Sequence, residues 1–207
     1  MTAVVGDFYD FCVVDRHRLG VLVADVTGHG VPAALVASMI KIAIRSVAAY
    51  AQDPAAVLHE LNRVLSDVLR GQYVTAAYLW IDIETRHARY SAAGHSPLLH
   101  WSAASGELLP IQSNGILFGM LADTSYPVHN LQLASGDRLL LYTDGLIEPE
   151  DASAEPFGDR RLEAVVRESR GCQAGELSAH LLDQLHVWQE KPGSQEDDIT
   201  LVVIDVA

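Results

Sequence analysis

Four aspartates hold the chemistry most legible in this chain, and each stands at the edge of a strand-like run. They are Asp7 in Gly6-Asp7-Phe8-Tyr9-Asp10, Asp25 in Ala24-Asp25-Val26-Thr27-Gly28-His29-Gly30, Asp144 in Tyr142-Thr143-Asp144-Gly145, and Asp197 in Glu196-Asp197-Asp198-Ile199-Thr200. Carboxylates placed where extended segments end can converge on one end of a sheet. An oxygen-only donor set suits hard cations such as Mg²⁺ or Mn²⁺, and a paired-metal centre of that kind activates water for attack on phosphorus. A lone aspartate in such a place is ordinary turn chemistry. Recurrence at several strand ends shifts the reading towards a metal site.

The elements that must position these groups follow from periodicity. Two β-type runs, 10–15 and 20–25, flank the polar turn of Arg16, His17 and Arg18 and read as a hairpin. Thr27-Gly28-His29-Gly30 breaks the pattern, and Pro32 marks the first turn of a helix running to about residue 50, with Leu35, Met39, Ile42 and Ile44 among its apolar positions. Asp53-Pro54 caps a second helix that stops at Gly71, with an apolar stripe of Val57, Leu58, Leu61, Val64, Leu65 and Val68. Residues 73–83, 88–92, 98–101, 128–133 and 138–143 then read as strands between turns, 160–169 and 175–190 as helices, and 199–206 as a β-branched central strand. Helices grouped between blocks of sequential strands favour an α+β layered architecture over a doubly wound parallel sheet.

Composition narrows the function. The chain has 207 residues, enough for one domain, and its 49% hydrophobic content supports a sizeable core. A formal charge of −13, from 14 basic and 27 acidic residues, argues against a nucleic-acid partner held through its phosphates. Cys12 and Cys172 lack metal-ligand spacing and are too few for a disulfide framework, which points to a reducing cytoplasm. No signal-peptide pattern precedes Asp7, and Lys41 and Arg45 interrupt the longest low-charge stretch, so no membrane span is expected.

Five motifs in order, Val4-Val5-Gly6-Asp7-Phe8-Tyr9-Asp10, Val23-Ala24-Asp25-Val26-Thr27-Gly28-His29-Gly30, Ala92-Ala93-Gly94-His95-Ser96-Pro97, Tyr142-Thr143-Asp144-Gly145-Leu146-Ile147-Glu148 and Asp197-Asp198-Ile199-Thr200, span almost the whole chain. Together they closely resemble the metal-dependent serine/threonine protein phosphatases (PPM family), in the bacterial branch typified by the stage II sporulation protein E. The resemblance implies an α+β fold, a four-layer α-β-β-α sandwich of two antiparallel sheets flanked by helices. It implies two or more Mn²⁺ or Mg²⁺ ions, with Asp25 bridging two of them and the Val26 carbonyl, Asp7, Asp144 and Asp197 completing the protein ligands. Asp25 and Asp144 would be the catalytic pair around a metal-activated water, with no protein nucleophile. The substrate it implies is a phosphorylated protein, a small anti-sigma-factor antagonist, under an upstream sensor or regulatory domain.

Residues 1–207 are thus expected to form a single catalytic domain lacking an upstream edge strand and regulatory module. Asp10 and Asp198 should point away from the metal face, because neighbours on an extended strand alternate. His29 could meet phosphate or water, whereas His95 reads as a turn residue. Two departures stand out. Val5 replaces a family glycine, and Asn114-Gly115-Ile116-Leu117-Phe118-Gly119 matches the family's glycine-leucine turn only loosely. The rival reading is a catalytically weak or inactive module that keeps the fold and binds partners.

Overall fold

In the computed structural model, residues 6–69, 71–112, 115–189 and 197–207 are described. The elements run β1 (Phe8–Val13), β2 (Arg18–Val26), α1 (Val31–Ser46), α2 (Pro54–Leu69), β3 (Val74–Asp82), β4 (His87–Ala93), β5 (Leu98–Ser102), β6 (Glu107–Ile111), β7 (His129–Gln132), β8 (Arg138–Tyr142), α3 (Gly158–Glu168), α4 (Ala174–Gln189) and β9 (Leu201–Asp205). Strands β1-β2-β3-β4-β7 form one sheet and β6-β5-β8-β9 another, in those orders. The pairs β1–β2, β2–β3, β3–β4, β4–β7, β5–β8 and β8–β9 are antiparallel. The α+β class expected from the sequence, with two antiparallel sheets and flanking helices, holds.

Two compact units divide the chain: one runs to Pro97 and resumes over Ile111–Leu133, the other comprises Leu98–Pro110 and Ala134–Ala207. In the first, strand alternation sets one sheet face under α1 and α2. Leu22, Ala24, Val26, Ala76 and Tyr78 bury themselves against Ala33, Ile40, Ile44, Leu58, Leu61 and Leu65. Each fully buried leucine or isoleucine contributes roughly 1.5–3 kcal/mol. The hairpin expected at the start is β1–β2, closed by the Asp15 carboxylate accepting from the His17 and Arg18 amides at 2.9 and 3.0 Å. In the second unit, Leu140, Tyr142 and Leu99 meet Leu162, Val166, Leu177, Leu181 and Leu185 of α3 and α4.

Several expectations need correcting. The first helix stops at Ser46 and not near residue 50; Ser46 turns its hydroxyl onto the Ala43 carbonyl at 2.7 Å, and Ala48–Tyr50 tightens into a 3-10 turn. Leu35 and Ile42 lie on the outer side of α1, 60% and 75% exposed, and Val64 and Val68 of α2 are also exposed. The last strand is an edge and not a central strand: only Val202 along it is buried, and its end carries Asp205, paired with the buried Arg138. Strand β6 went unread because Pro110 breaks its run; an edge position tolerates the missing N–H. Val5, Asn114, Glu190 and Glu196 lie outside the described residues.

Candidate metal centre

β2 ends in Asp25 and Val26 because Gly28 and Gly30, both at positive φ, break the strand before α1 begins. The pairing of β1 with β2 runs to Phe8 opposite Ala24. Asp7 immediately precedes β1, and carrying that register one step further would set it opposite Asp25. Both are half-buried. Like-charged neighbours across strands are unfavourable unless a cation lies between them. The turn that follows is tied down on its far side: the Thr27 amide donates to the Tyr73 carbonyl, and the Tyr73 amide to Thr27 Oγ1, each at 2.9 Å. Gly6 lies so close behind that a Cβ there would come within 3.0 Å of the Val26 carbonyl oxygen.

Asp10 faces the other way. It pairs across to Leu22 on the helix-covered side of the sheet and receives Arg45 of α1 at 3.2 Å. His29 is exposed in the turn. His95 is tied to β3 instead of merely closing its own turn: its Nδ1 lies 2.8 Å from Thr75 Oγ1, and Thr75 stands directly opposite Asp25. Sequence reading missed this pairing, since fifty residues separate Asp25 from Thr75 and only the register joins them.

In the second unit β8 delivers Asp144 at its end, where Asp144–Leu146 form a 3-10 turn. Thr143 and Thr200 lock this end to the start of β9. The Thr143 amide donates to the Thr200 carbonyl at 3.0 Å, and the Thr200 amide to Thr143 Oγ1 at 2.9 Å. Gly145 is required by close approach: a Cβ there would fall 1.9 Å from the Asp198 carbonyl oxygen. Asp197 accepts the Asp198 amide at 2.8 Å. Burial, then the neighbouring Asp197 charge, push the Asp144 carboxyl above its ordinary range. Glu148 is raised as well, first by Asp144, then by burial and Asp197. It is a further acidic candidate, four residues after Asp144, in the motif Asp144-Gly145-Leu146-Ile147-Glu148.

Asp7, Asp25 and Val26 therefore belong to the first unit, and Asp144 and Asp197 to the second. Among the described residues no group of three or more His, Cys, Asp or Glu side chains is gathered as a ready-made cage. The candidate donors are all oxygens, and the Asp144 and Glu148 carboxyls feel the charge of acidic neighbours. That chemistry fits hard divalent cations and excludes a soft, thiolate-type site.

This combination of fold and acidic strand ends is that of a PP2C-type phosphatase domain. The chain belongs to the stage II sporulation protein E (SpoIIE) family, whose pattern it matches over residues 15–207. It is 31% identical to phosphoserine phosphatase RsbU of Bacillus subtilis (strain 168), over 96% of this chain and 58% of RsbU. It thus spans a little over half of that relative's length. The solved SiaA-PP2C domain of Pseudomonas aeruginosa superposes with a TM-score of 0.87 at 27% identity, covering 98% of this chain and 81% of that one. A structure of RsbX in complex with magnesium shares the fold, with a TM-score of 0.69 at 24% identity, over 97% of this chain and 86% of that one.

Proposed function

We propose that this chain is the catalytic part of a protein serine/threonine phosphatase that hydrolyses phosphoserine or phosphothreonine with two or more Mn²⁺ or Mg²⁺ ions. The observation that carries the reading is the placement of carboxylates at strand ends, Asp25 in β2 with Asp7 just ahead of the paired β1, and Asp144 with the Asp197 charge acting on it, in a chain of the SpoIIE family. Asp7, Asp25, the Val26 carbonyl, Asp144 and Asp197 would hold the ions. When bound, such ions lower the pKa of water and neutralise phosphoryl oxygens. Asp25 and Asp144 orient that chemistry from strand ends fixed by the Thr27–Tyr73 and Thr143–Thr200 hydrogen bonds. Neither a cysteine nor a serine nucleophile is needed. The magnesium in the RsbX complex supports the choice of a hard cation.

The substrate in this reading is a phosphorylated protein, a small anti-sigma-factor antagonist, and the setting is cytoplasmic. Among the described residues no helix is long and apolar enough to cross a membrane. A sensor or regulatory domain packs on the outer side of α1 and α2, where Val31, Leu35, Ile42, Val64 and Val68 are exposed. Since Gly28–Gly30 joins Asp25 and Val26 to α1, a small helix movement reaches the metal ligands. A coupling of roughly 1–3 kcal/mol changes metal affinity about 5- to 150-fold. The test of the reaction is hydrolysis of an aryl phosphate by the metal-stripped chain with and without added Mn²⁺. Saturable Mn²⁺-dependent turnover is expected; its absence in a folded, metal-loaded chain would support the partner-binding module.

A further inference from the structure

The first unit carries a row of side chains that the proposed ligand set does not use to its end. Asp25 and Thr75 stand opposite each other on β2 and β3, at one end of one sheet face, and Asp7 immediately precedes the neighbouring β1. Directly opposed residues on neighbouring strands hold their Cβ atoms roughly 4.5–5.5 Å apart. Beyond Thr75 comes His95, just after β4, with its Nδ1 2.8 Å from Thr75 Oγ1. Backbone pairing fixes the place of His95 in turn: Gly94 bridges Ala76 in parallel, and its amide donates to the Gly115 carbonyl at 2.8 Å. Both Thr75 and His95 are half-buried.

We propose that His95 is a positioning residue for Asp25, acting through Thr75, and this rests on the metal-site reading above. A threonine hydroxyl has one proton to donate and two lone pairs with which to accept. When His95 donates Nδ1–H to Thr75 Oγ1, the hydroxyl proton is released towards the carboxylate across the strand pair. The chain His95–Thr75–Asp25 then holds the carboxylate in one orientation and leaves its remaining lone pairs to cations. Partners of this kind behind a metal ligand fix its geometry, and losing one typically costs about 10- to 100-fold in metal affinity. A histidine that only closed the Gly94 turn would contribute to folding and leave the affinity of Asp25 for cations alone.

The experiment is calorimetric titration of Mn²⁺ into the full chain, with thermal unfolding of each metal-free variant measured alongside. Thr75→Val, which keeps shape and loses the hydroxyl, and His95→Ala should each weaken Mn²⁺ binding about 10- to 100-fold. Thr75→Ser, and His95→Asn with its amide in place of Nδ1, should restore binding to within about threefold. The double variant Thr75→Val/His95→Ala should bind no more weakly than either single one, because both cut the same chain. Wild-type affinity in folded Thr75→Val would overturn the proposal even if His95→Ala failed to fold. Asp25→Asn separates the two levels: if it loses Mn²⁺ and Thr75→Val does not, only the positioning role fails. If Asp25→Asn binds Mn²⁺ as wild type does, the metal-site reading fails and takes the positioning role with it.

Discussion

Asp10 and Asp25 show how strand geometry sorts identical side chains into different roles. Asp10 pairs across to Leu22 and meets Arg45 of α1, whereas Asp25 lies on the opposite face with Thr75 and, by extension of the β1–β2 register, Asp7 as neighbours. Asp25→Asn should therefore lower turnover by about 10³-fold or more, near 4 kcal/mol of barrier. Asp10→Asn should cost less than about tenfold in turnover and about 0–1 kcal/mol of stability, the range of partly exposed ion pairs. Steady-state kinetics of both variants check this, and equal losses at the two positions would refute the division of faces. A second residue-scale expectation concerns Gly145, where an added methyl meets the Asp198 carbonyl oxygen at 1.9 Å. Gly145→Ala must shift backbone beside Asp197, and should cost about 1–3 kcal/mol in denaturant unfolding together with most of the activity.

At the scale of elements, the strongest periodic segments were legible from sequence and the edges were not. The α2 start at Asp53-Pro54 was readable because one aspartate supplies a complete cap: its carboxylate accepts the Ala55 and Ala56 amides at 3.1 and 3.3 Å. β6 was hidden by Pro110, and the edge position of β9 by its β-branched composition, which looks like a buried strand until its partners are known. The outward turn of Leu35 and Ile42 was equally hidden, since an apolar residue on a helix does not say which side is covered. Of the candidate site, the aspartates were visible as types at strand ends, while Thr75 needed the β2–β3 register. Another element-scale group, Asp137 ahead of β8, is 2% exposed. Burial pushes its carboxyl up, but hydrogen bonds from the Ala134 amide, His100 and the Ala103 amide outweigh that and hold it below its ordinary value of 3.8. A depressed folded-state pKa stabilises above the unfolded value and is lost as pH falls through the folded one. Asp137→Asn should thus cost about 1–3 kcal/mol near pH 7. Its stability should also fall less than that of wild type on acidification below about pH 4, as followed by denaturant midpoints across the acid range.

For the whole molecule, the acidic balance and the site express one electrostatic theme. The chain carries a formal −13, and Asp144 and Glu148 are both raised by burial and by acidic neighbours. Raised carboxyls make the folded state bind protons more readily than the unfolded one, so their own burden on stability is present at neutral pH and relieved as pH falls through the raised values. Under the proposed function, divalent cations bound there would relieve the same burden at neutral pH. Mn²⁺ at 100 times its Kd should stabilise the chain by about 2.7 kcal/mol, visible as a rise in Tm. That rise should shrink on acidification, as protons compete for the carboxylates, and be largely absent in Asp25→Asn.

The most direct test of the central claim, that these carboxylates hold cations for phosphate-ester hydrolysis, is phosphate release from a phosphoserine protein by the metal-stripped chain as Mn²⁺ is added back. The metal-site reading requires no release without metal, saturable release with it, and a loss of about 10³-fold in Asp25→Asn. Release that persists after metal removal, or full release by a folded Asp25→Asn chain, would contradict it.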